Sequence, residues 1–299
     1  MNDRGHLTTE QRNPRSMQLD RLSTSQAFDL INSQDATVSS AVAAAKDSIC
    51  RAIDLVVAAF RSGGRLIYVG AGTSGRLGTL DAAECPPTFL SDPSMVQGVI
   101  AGGSEALVRS IEGAEDEPRD GVSAIDRKEV GPQDVVLAIA TGGTTPFVHG
   151  AIDRARQLGA KTVFLACVPE DQVPDRADVS IRVITGPEVL TGSTRLKAGT
   201  ATKMVLNTIT TISMVRMGKV YENLMVDVDS RVNSKLIDRG TRMVQTVTGL
   251  SREASLALLQ TADGQVKTAI VMHARNVDRR TAERLLAEAD GHIAPVLKG

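Results

Sequence analysis

The chain has no tryptophan, two tyrosines and five phenylalanines among 299 residues. That scarcity argues against an aromatic platform for stacking nucleic-acid bases. Cysteine is as sparse: Cys50, Cys85 and Cys167 are widely separated and odd in number. Their spacing suggests neither a disulfide framework nor a metal site. They read as reduced, mostly buried thiols, which fits a cytoplasmic setting. The four histidines, His6, His149, His273 and His292, fall at no ligand spacing, so no metal is expected. Charge of one sign is lacking too, with 34 basic against 35 acidic residues. A near-neutral balance favours neither nucleic acid nor an anionic membrane as partner. No apolar run is long enough to span a bilayer, and the polar opening "MNDRGHLTTEQRNPRS" reads as no signal peptide. A G-x-S-x-G nucleophile elbow is absent from the sequence.

What the chain does have is aliphatic: 42% of it is hydrophobic, supplied by Ala, Val, Leu and Ile. A chain of this size can bury a full core in one large domain or two ordinary ones. Residues 1–22 form a polar arm with few apolar anchors, expected to order only against something else. Ser25 is placed to cap a first helix, and helical spacing runs on from about Asp35 to Phe60, stopped by Gly63-Gly64. Short, continuously apolar runs of the buried parallel type then alternate with helical stretches. The strands are "LIYVG" (66–70), "QGVIAGG" (97–103), "DVVLAIATGG" (134–143), "KTVFLAC" (161–167) and "VSIRVIT" (179–185). Between them, helices are expected over "GRLGTLDAAECPPTF", stopped near Pro86-Pro87, over about 104–112, and from Pro146. Another runs from Arg195 to about Met217, and the tail is helical throughout. The expected fold is therefore α/β: a doubly wound, mainly parallel five-stranded sheet with leading helices and a small C-terminal helical bundle. The expected domains are the arm (1–22), the sheet domain with its leading helices (23–222) and the helical domain (223–299).

Gly70-Ala71-Gly72-Thr73-Ser74-Gly75 is a literal G-x-G-x-x-G between a strand and a helix. Such a turn is an anion site, because the helix N-terminus presents unpaired N–H groups and partial positive charge. A dinucleotide would also need an acid at the end of the second strand, about 20 residues on. Asp92 has the distance but precedes that strand, which ends in "VIAGG". Thr73 and Ser74 instead add hydroxyl donors suited to a single terminal phosphate. A similar loop, with Thr141, Gly142, Thr144 and Thr145, follows the third strand. Ser193 and Thr194 precede a helix carrying Lys197, for which a solvated and an anion-binding role are both open. Glu84 stands among Ala, Cys, Pro and Phe, where burial would raise a carboxyl and suit it to general acid work, while exposure at a helix end is as open. Glu112, Glu115, Asp116 and Glu117 form an acidic cluster from which spacing alone selects none.

"TEQRNPRS", "LIYVGAGTSGRLGTLDAAECPPTF", "IEGAED" and "LTGSTRLKAGTATKMVLN" together resemble the N-acetylmuramic acid 6-phosphate etherases, a family of the sugar isomerase (SIS) fold group. The resemblance spans nearly the whole chain. It implies cleavage of the D-lactyl ether of N-acetylmuramate 6-phosphate by elimination and then hydration, without metal or organic cofactor. By the family's motifs it implies that Glu84 is the acid assisting lactate departure and Glu115 the second catalytic glutamate. It implies substrate binding by Thr73, Ser74, Thr141, Gly142, Thr145, Ser193 and Thr194, beside which Lys197 is a further candidate from its position, and Glu188 is a candidate third carboxylate. It also implies a homodimer, completed by the polar arm. One departure stands out: the family's second loop reads S-G-R-T-P, where this chain has Gly142-Gly143-Thr144-Thr145-Pro146. A non-catalytic sugar-phosphate sensor and an aldose–ketose isomerase are the alternatives on the same fold.

Overall fold

The computed structural model describes residues 4–231 and 233–298. Three helices lead in: α1 (Thr24–Asp35), α2 (Val38–Ala44) and α3 (Lys46–Arg61). Ser23, not Ser25, caps α1, in a reciprocal box with Gln26. The single helix expected from Asp35 is two, divided at Ala45, whose backbone (φ −91°, ψ 10°) leaves the α-helical ladder. The alternating region follows as β1 (Leu66–Gly70), α4 (Gly72–Phe89), β2 (Val96–Ile100), α5 (Pro118–Arg127), β3 (Val135–Ile139), α6 (Pro146–Gln157), β4 (Lys161–Ala166), β5 (Val179–Arg182) and α7 (Lys197–Arg216). The tail comprises α8 (Ser234–Thr248), α9 (Arg252–Thr261), α10 (Val266–Arg275), α11 (Arg279–Glu288) and α12 (Ile293–Lys298).

Two helices differ from expectation. α4 does not stop at Pro86-Pro87 but runs on to Phe89, where Leu90 takes a left-handed φ of 48°. A proline removes its own donor without preventing its carbonyl from accepting, and the Leu90 N–H donates to the Pro86 carbonyl at 2.9 Å. The helix expected over 104–112 is only a 3-10 turn, Ser104–Leu107. The regular helix is α5, opened by Pro118 at its first position.

The strands form one sheet in the order β2-β1-β3-β4-β5, every pair parallel. β1 and β3 are buried at all five positions, as a sheet covered on both faces requires. The strand order reverses between β1 and β3, so the loops leaving those two strands flank the crevice where ligands of such sheets bind.

Two contact-dense units make up the chain: Met1–Ala83 with Ser94–Thr210, and Glu84–Pro93 with Thr211–Gly299. In the first unit the core includes Ile67, Val69, Val136, Ala138, Phe164 and Ala166. Leu7 belongs to that core at 1% exposure. The N-terminal arm therefore packs on its own chain, with the Thr8 N–H and hydroxyl both donating to Gln172 Oε1. The second unit has its own core, including Val226, Val244, Leu259, Val266, Ile270 and Ile293. There Lys267, 8% exposed, donates to Asp227 and to the Gly291 carbonyl.

At the N-terminal edge of the sheet, Asp134 accepts from the Arg65 N–H, the Arg65 guanidinium and the Gly131 N–H. Burial alone would raise the Asp134 carboxyl, but these donors hold it below the usual carboxylate value. A lowered folded-state value contributes stability that is complete above the unfolded value of about 4 and is lost as pH falls through the folded one. Asp134→Asn is therefore expected to cost about 3 kcal/mol at neutral pH and to flatten the acid limb of the stability curve, read by urea unfolding between neutral pH and strong acid.

Candidate active site

The β1 loop enters α4 directly. Gly72, with φ 52°, turns the chain, and Ser74 and Gly75 follow buried in the first turn. A Cβ at Gly75 would meet Ile100 at 2.6 Å and the Gly70 carbonyl at 2.7 Å, so only glycine lets α4 start this close to β1 and β2. A helix opening at a strand end in this way favours an anion at its N-terminus.

The β3 loop is shaped the same way. Gly143 (φ 79°) is buried against Val173 and Val168, and its carbonyl is 2.7 Å from His149 Nε2. Thr141 and Thr145 are half-buried, and Thr145 is the N-cap residue of α6. A Cβ at Gly142 would stand 3.6 Å from Thr9 Oγ1. Thr9 is fully buried, and its hydroxyl has no hydrogen-bond partner among the described residues. The arm thus supplies the hydroxyl nearest to the position where the family's loop carries serine. Glu10 approaches the third loop, with Oε2 3.2 Å from where a Cβ on Gly192 would be. Sequence reasoning gave neither residue a role, although "TEQRNPRS" was one of the strings carrying the resemblance.

Ser193 and Thr194 form a half-buried turn before α7. Gly199, in the first turn of α7, lies within 3.6 Å of the Thr73 methyl through its virtual Cβ, so the first and third loops meet. Glu188, the candidate third carboxylate, caps α7. It is fully buried, and its two oxygens accept from the Lys197 and Ala198 N–H groups. Burial pushes its carboxyl up, while those two N–H groups pull it down. Both oxygens being engaged, Glu188 acts as an anchor. Glu188→Gln must turn an NH₂ group toward a backbone N–H and is expected to cost about 1–3 kcal/mol, read as a lowered unfolding midpoint.

Of the two roles left open for Lys197, the solvated one does not hold: at 3% exposure its ammonium donates to Gln34 Oε1 at 3.3 Å. Gln34 Oε1 accepts from Asn13 at 2.9 Å as well, tying arm, α1 and α7 together. Burial lowers the Lys197 amine, and Glu188 and Asp35 oppose that.

The two glutamates are both exposed. Glu115 is nonetheless fixed through its backbone, because its carbonyl accepts from the Phe147 N–H at 3.0 Å, in the first turn of α6. It lines a cleft of about 140 Å³ with Gly72, Arg76, Ser110 and Glu112. That cleft joins the G-x-G-x-x-G loop to the second glutamate. A larger cleft of about 470 Å³, lined by Thr79, Ser104, Leu107, Arg127 and Lys128 among others, contains none of the residues proposed from sequence. Glu84 is carried by α4 in the second unit. It is not buried among its apolar sequence neighbours, of which Cys85 and Phe89 face inward instead. One turn earlier, in the first unit, Asp81 is buried and accepts from the Tyr68 hydroxyl, Asn207 and Thr210, which join α4 to β1 and α7. Burial raises its carboxyl against those three donors. Among the described residues no group of three or more His, Cys, Asp or Glu could hold a metal ion.

SIS-domain family models match two stretches of this chain. The family model for the glucokinase regulatory protein N-terminal SIS domain matches residues 48–156, and that for the SIS domain matches 110–212. A solved Bacteroides fragilis protein, described as a candidate phosphosugar isomerase involved in capsule formation, aligns with a TM-score of 0.49 at 19% identity, over 67% of this chain and 95% of that one. An N-acetylmuramic acid 6-phosphate etherase of Nostoc sp. is 55% identical over 98% of this chain and 95% of its own. Those of Gloeobacter violaceus and Crocosphaera subtropica are 55% and 53% identical over 98% and 99% of this chain, and over 95% and 97% of their own. The chain belongs to the N-acetylmuramic acid 6-phosphate etherase family.

Proposed function

We propose that this chain is a lyase that cleaves the D-lactyl ether of N-acetylmuramic acid 6-phosphate, giving N-acetylglucosamine 6-phosphate and D-lactate in cell-wall amino sugar recycling. Identity of 53–55% along almost the whole chain carries the reading. The loops after β1 and β3 are assigned to the phosphate, with Thr73, Ser74, Thr141, Gly142 and Thr145 as donors and Ser193-Thr194 closing the third side. Glu188 and Lys197 are assigned to support of α7, on the strength of their hydrogen bonds.

In the open-chain sugar the C1 aldehyde acidifies the proton on C2. Glu115 removes it, the electrons form a C2–C3 double bond, and the C3–oxygen bond breaks. Glu84 gives the departing lactate oxygen its proton. Water then adds at C3, and C2 takes back a proton. One carboxylate must start ionised and the other protonated, a division that differing environments can hold. Reaction in heavy water is expected to yield lactate and product carrying deuterium at C2. Lactate with unlabelled C2 would reject elimination, and label at C2 without lactate would point to an isomerase.

The working form is assigned as a homodimer with a shared site. Glu84 comes about three helical turns after the loop in the same helix, is exposed, and is free to meet a substrate held by a second copy. Phe28 and Ile31, at 66% and 39% exposure on one side of α1, give such a copy an apolar face to cover. Light scattering at micromolar concentration is expected to give twice the chain mass, and a monomer would remove the shared site. A phosphorylated sugar substrate and a low cysteine count fit a cytoplasmic setting.

A further inference from the structure

We propose that Arg76 is a positioning residue for the ether-cleaving reaction, strapping the 104–112 segment so that Glu115 is held at the phosphate loop. Arg76 follows Gly75 at the start of α4. Its guanidinium donates through Nη2 to the Arg109 carbonyl at 2.9 Å and through Nε to the Leu107 carbonyl at 3.3 Å, more than thirty residues away in sequence.

Apart from Arg76, burial holds the strapped segment chiefly through Ala106, at 3% exposure. Left-handed glycines stand at both ends, Gly102 (82°) and Gly103 (71°) on one side and Gly113 (74°) on the other. Its regular structure is the single turn Ser104–Leu107, and Val108 is 82% exposed, so burial does not anchor its middle. The Arg109–Glu105 ion pair and the Ser110–Glu112 hydrogen bond both close within the segment itself. Downstream, the Phe147 N–H holds the Glu115 carbonyl. Glu115 is thus located by two attachments, α6 after the segment and Arg76 across it. Arg76 and Glu115 line the same cleft. A planar fork suits two carbonyls at once, whereas a lysine offers a point charge.

The inference rests on the etherase reading of Glu115. The test uses Arg76→Ala and Arg76→Lys in the full chain, with lactate-release kinetics, competition by inorganic phosphate, and hydrogen exchange over 104–112. Arg76→Ala is expected to lower kcat on the order of 10–100-fold, the usual effect of misplacing a reacting group by about 1 Å. KM and the phosphate inhibition constant should stay within about 3-fold, since ground-state binding is untouched. Amides over 104–112 should exchange faster, and Arg76→Lys should recover part of kcat. Unchanged kcat overturns the proposal. So does phosphate inhibition weakened about tenfold with unchanged exchange, which would make Arg76 a phosphate ligand. If the natural chain releases no lactate, the etherase reading fails, and unchanged exchange in Arg76→Ala separately refutes the strap. Should Arg76→Ala fail to fold, Arg76→Lys carries the same readouts.

Discussion

Glu84→Gln is expected to release lactate about 10²–10⁴-fold more slowly than the natural chain, the usual worth of a positioned general acid. Glutamine keeps the size of the side chain and removes the proton that the leaving oxygen needs. Glu84 is exposed and α4 continues to Phe89, so the fold should tolerate the change. Proton removal from C2 does not require this residue. The variant should therefore still exchange the C2 proton with heavy water while releasing almost no lactate. Glu115→Gln should stop both events, because it takes away the base. The pair of variants separates the two roles: C2 exchange lost in Glu84→Gln and kept in Glu115→Gln would reverse the assignment. Natural rates of lactate release in Glu84→Gln would end it.

Gly121→Ala should be among the most damaging single methyl groups in the sheet domain. A Cβ there would fall 2.0 Å from the Phe147 carbonyl oxygen and 2.9 Å from the Ala151 nitrogen, both backbone atoms. Gly150 makes the reciprocal approach, 2.1 Å from the Pro118 carbonyl. α5 and α6 therefore cross backbone to backbone, and neither can yield without moving the other. Overpacking of this kind costs about 1–3 kcal/mol, with the upper end or beyond expected where backbone must shift. The displaced end of α6 bears Phe147, whose N–H holds Glu115, and α5 begins three residues after Glu115. Urea unfolding should show the stability loss, and kcat should fall in the protein that remains folded. A variant with natural stability and kcat would mean that the two helices separate freely.

Much of the fold was legible because parallel strands covered on both faces must be apolar throughout. "LIYVG" and "VVLAI" allow little else. α5 was not legible, since it buries only Gly121, Ala124 and Ile125 of its ten residues, and small side chains give a weak periodic signal. The helix expected over 104–112 failed because glycines flank it and Ala106 is its one fully buried residue. α4 overran its two prolines, the Pro86 carbonyl still accepting from the Leu90 N–H although both prolines lack a donor.

The sequence alone determined the sheet class, the two hydroxyl-bearing loops at strand ends and the candidate glutamates, all of which depend on local pattern or contiguous motif. Tertiary structure alone decided which polar groups would be spent internally. Glu188 and Lys197 stand among the site candidates in the sequence and are engaged with the first N–H groups of α7 and with Gln34. Thr9, Arg76 and Asp81 looked incidental and are brought to the loops, to the Glu115 segment and to α7. The reason is burial. A charged or polar group removed from water must find partners, those partners lie tens of residues away, and only the folded chain brings them within reach.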